Sequence, residues 1–205
     1  MFHLFTVEEE TYSVLKRVFS IPEIKENFAL AGGTSLSLEL GHRQSIDLDI
    51  FSNKPIDTKE IEILLSSNPL IQFSFVNSSR NMLFSYINKI KCDFVYEPAK
   101  LIHPFFDQDG VNYFHVEDIA AMKMHTVCGR GKKKDFFDIY VLIETFGWPA
   151  MLQFFEKKYG PDQFYFFFLC ISYFDDADED ADINGLSPFT KTWEEIKKYI
   201  LKNCK

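Results

Sequence analysis

Asp47 and Asp49 stand one residue apart in a segment, 45–51, where Ile46, Leu48 and Ile50 alternate with the two carboxylates. In a strand, residues i and i+2 project from one face, so the two acids converge on one spot. Carboxylates placed this way are costly unless a metal or hydrogen bonds compensate, and their hard oxygens suit Mg²⁺ or Mn²⁺. Just upstream, Gly32-Gly33-Thr34-Ser35 reads as a small-residue turn opening a helix, where free backbone N–H groups can take a phosphate. A phosphate cradle beside paired carboxylates is what metal-assisted phosphoryl or nucleotidyl transfer requires. The competing interpretation is an exposed edge strand with its polar residues outward.

Further residues can join this pair. Asp93 sits in the strand Ile90-Lys91-Cys92-Asp93-Phe94-Val95 and reaches the same cluster if that strand pairs beside Asp47 and Asp49; otherwise it faces solvent. Lys123 emerges from a helix of small and apolar neighbours, either snorkelling to water or meeting a triphosphate as its charge partner. His42 and Arg43 adjoin the proposed site, where His42 can orient a phosphate or cap the preceding helix. Asp135 and Asp138 share a helix face, and by spacing alone read as a first-turn dipole residue and an ion-pair partner. Arg130, Lys132, Lys133 and Lys134 form a local basic patch in a chain of net charge −8, a balance that argues against broad nucleic-acid affinity. Asp180-Ala181-Asp182-Ile183-Asn184-Gly185 imitates half of an EF-hand loop, but Lys191 falls where a bidentate Glu is needed; the segment reads as a solvated acidic linker.

The elements that must position these residues follow from periodicity. Helices are expected over 7–20, 34–40 and 59–65, the last capped by Thr58, with strands over 28–31, 45–51, 71–76, 82–87 and 89–96. Asn88-Lys89 makes a tight turn between the last two strands. From Val116 the pattern is helical: 116–128 stopped by Gly129, 134–146 stopped by Gly147, one opened by Pro149, then 162–174 and 191–203. The Tyr165 to Phe168 run reads as helix core rather than a base-stacking platform. This is an α+β layout, with an α/β core over 1–112 and a helical region over 113–205 completing the cleft; residues 110–114 form the seam.

Composition narrows the setting. Hydrophobic residues make up 46% of the chain and 23 are Phe, enough for an aromatic-rich core. No apolar run approaches a membrane span, and Met1-Phe2-His3-Leu4 lacks the pattern of a secretory signal. Four scattered cysteines without metal or disulfide spacing suit a reduced, cytoplasmic protein.

Two blocks together resemble the AbiEii nucleotidyltransferase-like family, toxins of abortive-infection, type IV toxin–antitoxin systems. The first is Ala31-Gly32-Gly33-Thr34-Ser35-Leu36 with Gly41-His42-Arg43-Gln44-Ser45-Ile46-Asp47-Leu48-Asp49-Ile50-Phe51. The second is Asp118-Ile119-Ala120-Ala121-Met122-Lys123, Gly129-Arg130-Gly131 and Lys134-Asp135-Phe136-Phe137-Asp138-Ile139-Tyr140; the segment from Ser172 to Ala177 and Trp193 are similar to the family's C-terminal part. The resemblance implies a DNA polymerase β-like nucleotidyltransferase fold, a small mixed sheet with flanking helices. It implies that Gly32, Gly33 and Thr34 hold the β,γ-phosphates, Asp47 and Asp49 bind metal, and Lys123 contacts the triphosphate. Asp135, with Asp138 as its alternate, would activate the acceptor or order the site. The family often has Arg where this chain has Lys134, a change that weakens a bidentate phosphate contact.

The function expected is transfer of a nucleoside monophosphate from an NTP to a hydroxyl acceptor, with Mg²⁺ or Mn²⁺ aligning attack at the α-phosphate. By resemblance the acceptor is a tRNA 3′ end or a protein side chain, and a cognate antitoxin is a further partner. A noncatalytic nucleotide-binding regulator, or a phosphotransferase using the same site, are the rival readings.

Overall fold

The structure is a computed structural model and describes residues 2–204; Met1, part of the N-terminal reading above, lies outside them. Two short strands, β1 (Ala29–Ala31) and β2 (Leu48–Ser52), run antiparallel at the centre of one sheet. The sheet continues beyond β2 through β5 (Ile90–Tyr96), β4 (Met82–Ile87) and β3 (Phe73–Ser79), and beyond β1 through β7 (Val111–Tyr113) and β6 (Phe106–Gln108). β2 and β5 are parallel, as are β1 and β7; the remaining pairs are antiparallel. Asn88 and Lys89, with φ of 50° and 69°, make the two-residue turn joining β4 to β5, whose backbone twist matches that of the strands.

The β6–β7 hairpin is absent from the sequence reading, which placed a seam there. Its turn is Asp109-Gly110, both at positive φ, a dipeptide that favours this turn. Only three residues flank it on either side, too few for alternation to register. The boundary expected between residues 112 and 113 therefore falls within β7, which pairs with β1.

Helices cover both faces of the sheet. On one side α1 (Glu9–Phe19) buries Val14, Leu15, Val18 and Phe19, with acids in its first turn and Lys16 and Arg17 in its last, the arrangement its dipole favours. This layer joins Leu48, Ile50, Cys92 and Phe94 from the sheet in one apolar cluster. On the other side α5 (Val116–Gly129) and α6 (Lys133–Phe146) pack with α7 (Trp148–Tyr159) in a second cluster that includes Ala29, Ala31 and Leu36. α4 (Thr58–Ser67) is capped by Asp57 rather than Thr58: the Asp57 carboxylate accepts from the backbone N–H groups of Lys59 and Glu60. α10 (Trp193–Asn203) starts at a Thr192–Glu195 capping box, slightly later than its apolar period suggests.

The helix expected over 162–174 is broken. α8 (Phe164–Cys170) is followed by a turn and then α9 (Asp175–Asp178). Of the aromatic run only Phe167 is buried, while Tyr165 and Phe166 are 78% and 53% exposed, so the expectation that this run is core is corrected. This seven-residue helix packs on α5 and buries one stripe, whatever the composition of its other faces. The acidic segment also differs from a solvated linker. Asp180 accepts from the Lys133 backbone N–H and from Lys132, and Arg43 and Gly185 form a bridge. Among the described residues no helix is long and apolar enough to cross a membrane.

Candidate active site

β1 ends at Ala31 and the chain turns directly into α3 (Gly32–Leu40). Gly32 makes that turn at φ +65°, and a Cβ there would stand 2.5 Å from Asp49 Oδ2. Glycine is thus required both for the backbone conformation and for the approach of the carboxylate. Gly33 serves a different neighbour, since a Cβ on it would collide with the guanidinium of Arg43. Thr34 is buried; its hydroxyl lies 2.8 Å from that of Ser45 and donates to the backbone carbonyl of Asp47. That bond ties the start of α3 to the segment entering β2. Ile46, expected on the core side, is 62% exposed because regular β2 begins only at Leu48.

The parallel pairing of β2 with β5 puts Asp49 opposite Asp93 and Leu48 opposite Cys92. Partners in such a ladder share a face, so Asp93 stands beside Asp49 and both line a cavity of about 350 Å³ with Asp47 and Gly32. Lys91, Lys123, Arg130 and Lys134 bring positive charge to the same cavity, and Phe51, Phe84 and Met82 give it an apolar flank. Lys91 donates to Asp93 Oδ2 at 2.7 Å, and Lys134 lies 3.8 Å from Asp47. Asp93 Oδ1 is buried with no hydrogen-bond partner. Burial raises the Asp49 pKa; Asp93 and Asp47 raise it further against the opposing pull of Lys123 and Lys91. Lys91 is the cavity residue the sequence reading passed over, although its i, i+2 spacing to Asp93 in a strand was visible.

Behind this wall is a buried charge network. Asp138 accepts from Arg43 Nε at 2.7 Å and Nη2 at 2.9 Å, and lies 2.8 Å from His42 Nε2 and 2.7 Å from Lys123 Nζ. Lys123 also donates to Asp135 at 2.8 Å, and Arg130 approaches the other Asp135 oxygen at 3.2 Å. Burial opposes ionisation of Asp138, but Arg43 and Lys123 outweigh it and hold the carboxyl well below the usual carboxylate range. Burial also lowers the His42 pKa, against the opposing pull of Asp138. Gly33, Thr34, His42, Arg43, Asp135 and Asp138, expected near nucleotide or acceptor, thus lie behind the cavity wall, and Lys123 is the link between the two layers.

The basic patch is not bare. Arg130 faces Asp135, Lys132 faces Asp180, Lys133 meets Asp182, and Lys134 approaches Asp47. A larger hollow of about 680 Å³ between α6 and α10 holds none of the expected site residues, and its lysines are already matched by Asp178, Asp182, Glu144 and Glu194.

The mixed sheet, the glycine turn into α3 and the flanking helices are the layout of the DNA polymerase β-like nucleotidyltransferase fold. The chain belongs to the AbiEii family, described as nucleotidyl transferase AbiEii toxin of type IV toxin–antitoxin systems, whose model matches residues 13–199. An uncharacterized protein of Aquifex aeolicus (strain VF5), aq_aa25, is 31% identical over 205 residues, covering 97% of this chain and 96% of its own. Among solved structures, MenT4, nucleotidyltransferase toxin Rv2826c from Mycobacterium tuberculosis H37Rv, is similar with a TM-score of 0.54 at 12% identity, covering 96% of this chain and 84% of its own. JHP933 from Helicobacter pylori aligns with a TM-score of 0.51 at 17% identity over 96% of this chain and 92% of its own. These structural likenesses speak for the fold.

Proposed function

We propose that this toxin-family nucleotidyltransferase moves a nucleoside monophosphate from an NTP to a hydroxyl of a tRNA 3′ end or a protein side chain. The observation that carries this reading is the in-register pairing of Asp49 with Asp93 over the bare backbone of Gly32. Asp47, Asp49 and Asp93 would hold Mg²⁺ or Mn²⁺: all their donors are hard oxygens, and the partnerless Asp93 Oδ1 fits a cation better than a protein hydrogen bond. Such a cation supplies charge neutralisation at the phosphates and alignment of the acceptor oxygen.

The chain's own groups do the rest. Gly32 lets a phosphate approach beside Asp49, and Lys91, Arg130 and Lys134 meet the triphosphate by charge-assisted hydrogen bonds. Phe84 and Met82 give the base an apolar wall. The acceptor oxygen bonds to the α-phosphorus as the bond to the β-phosphate oxygen breaks; pyrophosphate leaves, and the hydroxyl proton passes to water. Lys123, held by Asp135 and Asp138, positions the wall and keeps its charge beside Asp49. In the family's terms an antitoxin is the expected protein partner, and the cytoplasm, where NTP and tRNA meet, the expected location.

The test is incubation with each α-³²P-labelled NTP, Mg²⁺ and total tRNA, with Asp49→Asn as control. Label entering tRNA with release of pyrophosphate, and lost in the variant, is the expected result. Label on protein instead selects the side-chain acceptor, and NDP release selects phosphotransfer. NTP bound without transfer of label overturns catalysis in favour of a nucleotide-binding regulator.

A further inference from the structure

Away from the carboxylate cavity, at the start of α5, His103, His115 and Glu117 present one ligand atom each within 4.8 Å of one another; among the described residues no other trio of His, Cys, Asp or Glu groups closes this tightly. His103 Nε2 lies 2.8 Å from Glu117 Oε2, and the rings of His103 and His115 are 4.2 Å apart at 46°. His115 is the N-cap of α5, its Nδ1 accepting the Glu117 N–H at 3.4 Å, the outer edge of hydrogen bonding. Its ring is therefore recruited elsewhere at small cost.

What turns three neighbouring side chains into a built site is the backbone beneath them. The fully buried carboxylate of Asp118 accepts from the N–H groups of Ile102 at 2.9 Å and His103 at 3.0 Å. Lys158 from α7, also buried, closes the same carboxylate at 2.8 Å and reaches the Lys100 carbonyl. The loop carrying His103 is thus bolted to the first turn of α5, so the three donors are held together before any ligand arrives, lowering the ordering cost of binding. The His103 and Glu117 side chains stay 39% and 25% exposed, which leaves one side of the trio open to water.

We propose that His103, His115 and Glu117 form a second cation site, selective for Zn²⁺-like borderline ions. Two imidazoles and one carboxylate, with a water in the open fourth position, satisfy the tetrahedral preference of such ions. Ligands of a tetrahedral Zn²⁺ stand about 3.3 Å apart, so the His103–Glu117 pair, at 2.8 Å, parts by about half an ångström and the His115 ring, within 4.8 Å of both, closes by up to about 1.5 Å. The all-oxygen set of Asp47, Asp49 and Asp93 prefers the harder Mg²⁺, so the two sites differ in the ion they take. Bound here, the ion clamps the loop at residues 102–103 to the helix that carries Lys123.

Co²⁺, a spectroscopic substitute for Zn²⁺, titrated into the full-length protein tests this directly. The expected result is one equivalent of a visible d–d absorption, bleached by Zn²⁺ but not by excess Mg²⁺, with a matching Zn²⁺-dependent rise in melting temperature. His103→Ala and His115→Ala, each shown folded by circular dichroism, should weaken uptake by at least about tenfold, while Asp49→Asn leaves it unchanged. Should one His variant fail to fold, Glu117→Gln serves in its place. No absorption and no thermal shift in the unaltered protein, uptake undiminished in the folded His103, His115 and Glu117 variants, or uptake lost in Asp49→Asn would each overturn the proposal.

Discussion

Asp49 and Asp93 are register partners on adjacent parallel strands, brought side by side by the β2–β5 ladder. Like charges directly opposed on one sheet face are destabilising, and burial adds to the cost. Lys91 and Lys123 offset it only in part, since the Asp49 pKa stays raised. On the function proposed above, a cation held by these carboxylates would relieve that crowding.

Neutralising Asp49 should therefore trade activity for stability. A folded-state pKa above the unfolded value means that the group costs more stability as pH rises through it. Asp49→Asn removes that cost, and we expect nucleotidyl transfer to be lost while stability at pH 8 rises by on the order of 1 kcal/mol. For a chain of this length that is a melting-point increase of about 2–4 °C. An unchanged or lower melting point would contradict the charge-crowding account.

Asp138 has the opposite character. It is the shared acceptor of Arg43, His42 and Lys123, and its removal leaves two buried cations short of a partner. Asp138→Asn should cost about 3–5 kcal/mol in a urea melt. Because the folded-state pKa is depressed, its contribution is present above the ordinary carboxylate pKa and is lost as pH falls below about 4. The variant's stability should accordingly be flatter than that of the unaltered protein in that acid range.

Glu39 on α3 carries a second, separable pH effect. Burial raises its pKa from 4.5 to about 7, and its Oε1 has no hydrogen-bond partner. An acid with a raised folded-state pKa is protonated without penalty below the unfolded value, then loses stability as pH climbs from about 4.5 to about 7. The full displacement is worth up to about 3 kcal/mol. Glu39→Gln should remove that slope and leave the protein more stable at pH 8, measured by thermal melts across the range.

The two glycines should respond differently to one added methyl. Gly32→Ala sets a Cβ against Asp49 Oδ2 at a positive φ, so it should impair NTP turnover strongly and cost about 1–2 kcal/mol. Gly33→Ala instead pushes on Arg43 and through it on Asp138, so its larger effect should be on stability. Comparing urea midpoints with NTP affinity for the two variants separates the roles.

Much of this was written locally. The alternation of Leu48 and Ile50 with Asp49, the helix periods of α1, α5 and α6, the Asn88-Lys89 turn and the glycine stop after Phe146 depend on neighbours a few residues away, so the sequence alone determined them. So did the family, whose signature is a matter of residue types at fixed spacing. Only the tertiary structure decided which carboxylate stands beside Asp49, that Gly33 is bare for Arg43, and that Lys123 is shared by Asp135 and Asp138. It also decided that the aromatic face of α8 is left uncovered and that His103 meets Glu117. Each of these depends on which distant partner a side chain meets or lacks, and no local propensity encodes that; it is fixed when the sheet register and the helix packing close together.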